Sequence, residues 1–384
     1  METFALKGYL FIMIFYTGAD IFSLLFGKLA EANIAVYCRH DTDTFTALAV
    51  KELDKSLRRK KITQKEYEFK KNSFIFTDNL TDLSDCNIII ETISENLEEK
   101  RHILAELDKI TDKTCLITSN TSTLNLSLLF NGISNPERCM GLHFFYPVKL
   151  SEYAEINLLS ETTENSIKKA KQLMADCGKK VILFSGKYNM YLNQILNAAV
   201  CTAIYIKENN QISVEETDKL LSDCFSFGGI FGILDSIGLK LIANSSDCFS
   251  IERISSISSY GKSVMNNWIA SGCPTEPNCF LDFMKENDKS SFSAVDKDYV
   301  NASMIASILN EMINAAEECD CNFADLTNAV QDIIGLSDTP SNYKKKYGLA
   351  NLRAALSDLY EKSGFEFFMP SPENLWCKYY TAGR

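Results

Sequence analysis

The stretch HFFYPVKLSEYAE, residues 143–155, sets an imidazole and a carboxylate twelve positions apart. An imidazole titrates near neutrality, so His143 can take a proton and return it. A carboxylate such as Glu155 can hold that ring in one tautomer and stabilise the imidazolium. Two phenylalanines and a proline lie between them, surroundings that suit a buried ring better than a solvated one. On these residues alone an acid–base pair and two neighbours at the edge of a core are both open readings.

A second constellation lies near the start. YLFIMIFY (9–16) is a continuous apolar run, as a strand covered on both faces should be. It is too short to span a bilayer, which takes about 20 residues. Gly18 and Asp20 interrupt the apolar pattern beyond it, and no basic segment precedes it, so no membrane or secretory role is expected. A turn, TGAD, then leads into a helical stretch, IFSLLFGKLAEAN. Strand, tight turn and helix is where a dinucleotide fold keeps a GxGxxG loop. The six positions here run from Tyr16 to Ile21, and only the middle glycine, Gly18, is present. That glycine is the one that lets backbone approach a pyrophosphate. Tyr16 and Ile21 replace the others, and Asp20 adds negative charge. The second strand, IAVYC (34–38), ends at Arg39, His40 and Asp41. Arg39 is the charge preferred for a 2′-phosphate, hence NADP; Asp41 is the alternative if the register slips, binding the ribose hydroxyl of NAD.

These residues need a scaffold, and the chain supplies an alternation. A charged helical stretch, TALAVKELDKSLRRKKITQKEYEFKK, precedes the strand CNIIIET (86–92). Then come the helix NLEEKRHILAELDKIT, the strand TCLITS (114–119), a short helix or loop around LNLSLLF, and the strands CMGLHFF (139–145) and KKVILFS (179–185). Strands alternating with helices imply a mostly parallel, doubly wound sheet. From about residue 187 the period becomes helical. CTAIYIKENNQISVEETD (201–218) lines up with NEMINAAEECDCNFADLT (310–327) at an offset of 109, which reads as an internal repeat. Residues 243–295 between the copies are richer in Ser and Asn and read as partly linker. The expected fold is therefore an α/β Rossmann-like domain over 1–186, an all-α domain over 187–290, and a second, divergent copy of it over 291–384.

Composition narrows the function. A net charge of −11 over 384 residues argues against nucleic-acid binding. Only His40, His102 and His143 are histidines, and the 13 cysteines are scattered with no CxxC pair. Cys319 and Cys321 form the one close pair, with no histidine beside them. No metal site and no disulfide framework are expected, and reduced thiols fit a cytoplasmic location.

Four segments together resemble the 3-hydroxyacyl-CoA dehydrogenase family: ETISENLEEKRHILAELD (91–108), TSNTSTLNL (118–126), GLHFFYPV (141–148) and FGGIFGILDSIGL (227–239). The resemblance covers essentially the whole chain and is strongest from residue 90 to 240. It implies an N-terminal NAD-binding domain and helical C-terminal domains, present as two tandem copies in long members. Carried over by position, it makes His143 the catalytic histidine and Glu155 its partner. It places Ser122 and Asn193 against substrate, Glu95 on the cofactor side and Lys100 near CoA. Two departures stand out: Tyr146 where the family has asparagine after HFF, and YNM (188–190) where it has PGF.

Oxidation of a secondary alcohol needs a hydride acceptor on one face of the carbon and a base for the hydroxyl proton. His143 backed by Glu155 fits the base, and a serine hydroxyl with an asparagine amide can hold the reacting oxygen and the thioester carbonyl. The resemblance thus implies an NAD- or NADP-dependent oxidoreductase on 3-hydroxyacyl thioesters of CoA or acyl carrier protein, as a monomer or homodimer. The degraded glycine loop supports a second reading, an acyl-thioester-binding pseudoenzyme without productive cofactor binding. The Arg39 assignment has a direct check. NADPH is expected to bind more tightly than NADH, and Arg39→Asp to reverse the order in calorimetric titration; equal affinities would remove Arg39 from the site.

Overall fold

Eight strands pair into one sheet: β1 Tyr9–Met13, β2 Asn33–Tyr37, β3 Phe74–Thr77, β4 Cys86–Glu91, β5 Leu116–Ser119, β6 Cys139–Phe144, β7 Tyr153–Leu158 and β8 Lys180–Phe184. The computed structural model describes residues 9–13, 33–37, 42–186, 190–226, 229–246, 252–288 and 295–381, together with Ile21, Leu24 and Lys28. The strand order is β3-β2-β1-β4-β5-β6-β7-β8. Every pairing is parallel except β6 with β7. The first six strands follow the doubly wound order, in which the direction of winding reverses between β1 and β4 and ligands bind beyond the carboxyl ends of the strands. The α/β half followed by an all-helical half is the architecture the sequence implies. The chain divides into two units, Met1–Ser185 and Gly186–Arg384.

The central strands are aliphatic because helices cover both faces. Ile88, Ile89, Ile90, Leu116 and Ile117 are all buried. The helix Leu97–Ile110 buries positions 100, 103, 104 and 107, the i, i+3, i+4, i+7 stripe of an amphipathic helix. Three of the four are aliphatic; the fourth is Lys100.

Three elements differ from the sequence expectation. The charged stretch ahead of β4 is two helices, Thr42–Arg58 and Gln64–Asn72. Lys60 between them takes a left-handed φ of 54°, and Thr63 and Glu66 restart the helix with a capping box. Strands β3 and β7 are additional. β3 sits at the sheet edge with its middle residues partly exposed. β7 carries Glu155 and Asn157, so no continuous apolar run marks it. Third, the Ser-rich region 243–295 contains the helices Glu252–Ala270 and Phe280–Asn287. Its small residues serve close packing: a Cβ on Gly261 would lie 2.5 Å from Cys201 Sγ. This is why helix Glu252–Ala270 can rest on helix Tyr191–Asn210.

Within the helical unit, Ser213 and Asn322, 109 residues apart, each cap a helix, Val214–Leu220 and Phe323–Ile334. Ser226 N–H donates to the Gly335 carbonyl at 2.7 Å, again across 109 residues, and Phe225 and Leu336 form an antiparallel bridge. Gly238 and Gly348 start helices Leu239–Ser245 and Leu349–Ser363 with positive φ. No helix of the described residues is long and apolar enough to cross a membrane.

Gly229, in the FGGIFG segment, is required twice over. Its φ is +93°, and a Cβ there would lie 2.3 Å from the Asp218 carboxyl carbon. Asp218 accepts the Phe231 N–H at 3.1 Å at the start of helix Ile230–Ile237. Burial raises its pKa to about 6, opposed by the backbone N–H groups of Phe231, Gly232 and Ile230. Gly229→Ala should destabilise the helical unit by about 2 kcal/mol or more, read as a lowered melting temperature. A raised folded-state pKa means the Asp218 contribution is complete below its ordinary 3.8 and is lost as pH rises through about 6. Asp218→Asn should flatten that part of the stability–pH profile; an unchanged profile would remove Asp218 as its source.

Candidate active site

Glu91 ends β4 and Ser119 ends β5, and the two are register partners. Glu91 is fully buried, so its carboxylate must find partners inside. It accepts from Ser119 Oγ at 2.5 Å, from Ile93 N–H at 2.6 Å and from Lys100 Nζ at 2.7 Å. Burial pushes the Glu91 pKa up, and the Lys100 charge and these hydrogen bonds work against it. Lys100 is 1% exposed. Its ammonium also donates to the Ile93 carbonyl at 2.9 Å and lies 3.5 Å from Glu95 Oε2. The lysine thus holds the turn after β4 against the helix it comes from.

Glu95 carries the same network into the loop after β5. Its Oε1 accepts from Thr121 Oγ1 at 2.6 Å, Ser122 N–H at 2.9 Å, Thr123 N–H at 3.0 Å and Thr123 Oγ1 at 2.9 Å. Burial would raise the Glu95 pKa, but the Lys100 charge and the donors of Thr121, Thr123 and Ser122 outweigh it and hold it below its usual value. Asn120 ties the loop to both neighbouring strands. Its N–H donates to the Glu91 carbonyl at 2.8 Å, and its Oδ1 accepts the Phe144 N–H at 2.9 Å. Each residue of the SNTS motif therefore has a partner that fixes it. The Ser122 hydroxyl stays partly exposed, 3.4 Å from Glu95 Oε1.

Phe144 leads to the second group. His143 on β6 and Glu155 on β7 are direct register partners in the antiparallel pair, so both side chains project from the same face. His143 Nδ1 lies 3.7 Å from Glu155 Oε2, with the side chains 8% and 0% exposed. The Glu155 carboxylate accepts no hydrogen bond among the described residues. Phe145 packs edge-on against the imidazole, ring centres 4.5 Å apart. Tyr146 is 63% exposed.

A profile of the 3-hydroxyacyl-CoA dehydrogenase NAD-binding domain matches residues 26–187. A 3-hydroxybutyryl-CoA dehydrogenase of Mycobacterium tuberculosis is 31% identical over 201 residues, 51% of this chain and 70% of that protein. The chain belongs to the 3-hydroxyacyl-CoA dehydrogenase family. A fatty acid oxidation complex subunit alpha of a Shewanella species is 28% identical over 201 residues, 51% of this chain and 28% of that one. Among solved structures, a 3-hydroxybutyryl-CoA dehydrogenase of Escherichia coli K12 shares the fold with a TM-score of 0.80 at 16% identity, covering 97% of this chain and 98% of that one. As a member of this family of oxidoreductases, the protein has the family's NAD-binding domain as its N-terminal unit.

The structure brings together His143 with Glu155, and Ser122 with Glu95 and Lys100. The Lys100 ammonium is buried, bonded to Glu91 and the Ile93 carbonyl. Asn193 lies half-buried in the first turn of helix Tyr191–Asn210, in the helical unit. Gly18 and Arg39 fall outside the described residues. Sequence reasoning missed Glu91, Ser119, Thr121 and Thr123. A signal was available: a carboxylate ending the run CNIIIE and a lysine on a helix's apolar stripe are charges at buried positions, which must pair.

Removing one partner of a buried pair costs about 3–5 kcal/mol. Lys100→Met is expected to destabilise the N-terminal unit by that order, and Glu91→Gln in the same chain to restore part of it, in denaturant titration. No loss in the single variant would mean the pair is not holding this edge of the sheet.

Proposed function

We propose that the protein interconverts 3-hydroxyacyl and 3-oxoacyl thioesters with NAD or NADP, in fatty acid metabolism, on substrates carried by CoA or acyl carrier protein. The observation that carries this reading is the buried His143–Glu155 pair, set opposite one another across β6 and β7. A buried carboxylate without a hydrogen bond is costly. The nearby imidazole relieves that cost when Nδ1 carries its proton toward Glu155. This leaves Nε2 free to take the proton of a substrate hydroxyl, and the carboxylate then stabilises the imidazolium. The 3.7 Å separation is longer than a hydrogen bond, and catalytic pairs often tighten only with substrate present.

The described residues fit the cofactor through the doubly wound strand order and the fixed turns after β4 and β5 at its crevice. The nicotinamide, when bound, supplies the hydride acceptor. In oxidation, His143 removes the hydroxyl proton; in reduction it returns it. Ser122 and Asn193 are assigned to the reacting oxygen and the thioester carbonyl. Glu95 and Lys100 act on the same chemistry by holding the 121–123 loop that carries Ser122. We also read residues 187–290 and 291–384 as two copies of one helical domain, supported by the 109-residue offset of their caps and by the Ser226–Gly335 bond. Two copies in one chain suit a monomer, with a homodimer as the alternative.

The pseudoenzyme reading rests on one specific observation. Tyr16 and Ile21 stand where the glycine loop needs glycine, and the family match begins at residue 26, past that loop. One experiment separates the two. With 3-hydroxybutyryl-CoA or longer thioesters and NAD or NADP, reduced nicotinamide should accumulate. His143→Gln should lower kcat about 10²–10⁴-fold, the usual worth of a positioned acid–base group, and Glu155→Gln should lower it as well. Thioester binding with no nucleotide binding would favour the pseudoenzyme.

A further inference from the structure

Cys319 and Cys321 take no part in the chemistry above. Elsewhere, Cys86, Cys115, Cys139, Cys177, Cys201 and Cys224 are buried, and burial pushes their thiols up to about 12. Thiols held protonated are inert, because the thiolate is the nucleophile. Cys321 moves the other way. A hydrogen bond from Cys319 lowers its pKa, against burial and the charges of Asp320 and Asp325.

The backbone brings the two residues together. Cys319 caps the helix Lys297–Glu318 in an extended conformation. The Cys321 N–H donates to the Cys319 carbonyl at 3.1 Å, which closes a three-residue turn with Asp320 at its corner. Such a turn folds the two Cα atoms toward one another, as a disulfide's short Cα–Cα reach requires. Cys319 is buried, its single S–H turned either to the Ala315 carbonyl, 2.8 Å from Sγ, or to the Cys321 sulfur, while Cys321 is half-buried. One thiol is thus reachable and disposed to ionise, and the other is sheltered beside it. Gly186, the first residue of the helical unit, bridges to Cys319 in antiparallel fashion. A Cβ on Gly186 would lie 2.8 Å from the Glu318 carbonyl oxygen, so the chain crosses this turn with no room to spare.

We propose that Cys319 and Cys321 are an oxidisable dithiol, a modification site that takes up an intramolecular disulfide by exchange with a small disulfide such as oxidised glutathione. Cys321 loses its proton to solvent and its thiolate attacks one sulfur of the small disulfide. A mixed disulfide forms and one small thiolate leaves. Cys319 then loses its proton and attacks Cys321 Sγ, forming the 319–321 bond and expelling the second small thiolate. The two protons end on the two small thiols. The two cysteine sulfurs are oxidised and the small disulfide is reduced, by two electrons in all. The new bond removes the Sγ–H donation to Ala315 and locks the turn at Asp320.

Tryptic peptide 298–344 carries both residues and no other cysteine, so mass spectrometry reads the site directly. The native full-length protein is incubated in glutathione buffers of graded ratio, quenched by alkylation and digested. The expected result is loss of two hydrogens from this peptide, with Cys279 and Cys377 still alkylated. Cys319→Ser, lacking the second thiol, should instead accumulate one glutathione on Cys321. Independent of any variant, brief iodoacetamide labelling of the native protein should modify Cys321 at least about tenfold faster than Cys279 or Cys377, the other half-buried thiols among the described residues. Slower or equal labelling, a stable glutathione adduct on the unsubstituted pair, or no reaction at any ratio would overturn the proposal.

Discussion

A buried ammonium organises one edge of the sheet. Lys100 has no water to solvate it, so the surrounding groups must arrange themselves around its charge. Glu91 at the end of β4, the Ile93 carbonyl in the following turn and Glu95 beyond it all face Nζ. The other oxygen of Glu95 accepts from five donors of residues 121–123. A single side chain on a helix therefore fixes the turns that follow two adjacent parallel strands. Those turns lie at the carboxyl edge of a doubly wound sheet, where ligands of such folds bind. The serine assigned to substrate hangs from this frame, its N–H and hydroxyl both turned to Glu95 Oε1.

A second constraint is the reversal of direction at β7. Parallel strands place successive residues of neighbours in slanted register and need long crossovers, whereas a short return makes an antiparallel pair. The eight residues 145–152 are such a return, and they set Glu155 directly across from His143. The twelve-residue spacing seen in the sequence is the length of that excursion. Any insertion of one residue in β7 would move the carboxylate to the opposite face of the sheet. Phe145 holds the imidazole from the side, and the exposed Tyr146 begins the return where the family carries asparagine.

The helical unit reads as a different kind of economy. Small residues, Gly261 against Cys201 and Gly186 against Cys319, mark where backbones approach closely. Gly229 leaves room for a buried carboxyl that starts the next helix. Bonds between Ser226 and Gly335 tie positions 109 residues apart. Composition alone made part of this region look like linker, because serine and asparagine are common in loops and yet are carried here by helices.

Periodicity in the sequence was enough for the alternating α/β half and the helical half, since those depend on patterns a few residues long; it left open what His143 and Glu155 do, and only the pairing of β6 with β7 sets them side by side. The resemblance in HFFYPV, SNTS and FGGIFG carried the family. What the sequence did not reveal was which charges are internal. Lys100 is one lysine among many in a charged helix until the fold shows that it lies on the buried stripe, and Glu91 is one more acid at a strand end until Lys100 is found opposite. Likewise β7, interrupted by Glu155 and Asn157, has no local pattern to announce it; only its pairing with β6 makes it a strand. The residue types determined what chemistry was available. The tertiary structure decided which groups lose their water and must therefore pair, because desolvation is a property of the packed surroundings and not of the neighbours in sequence.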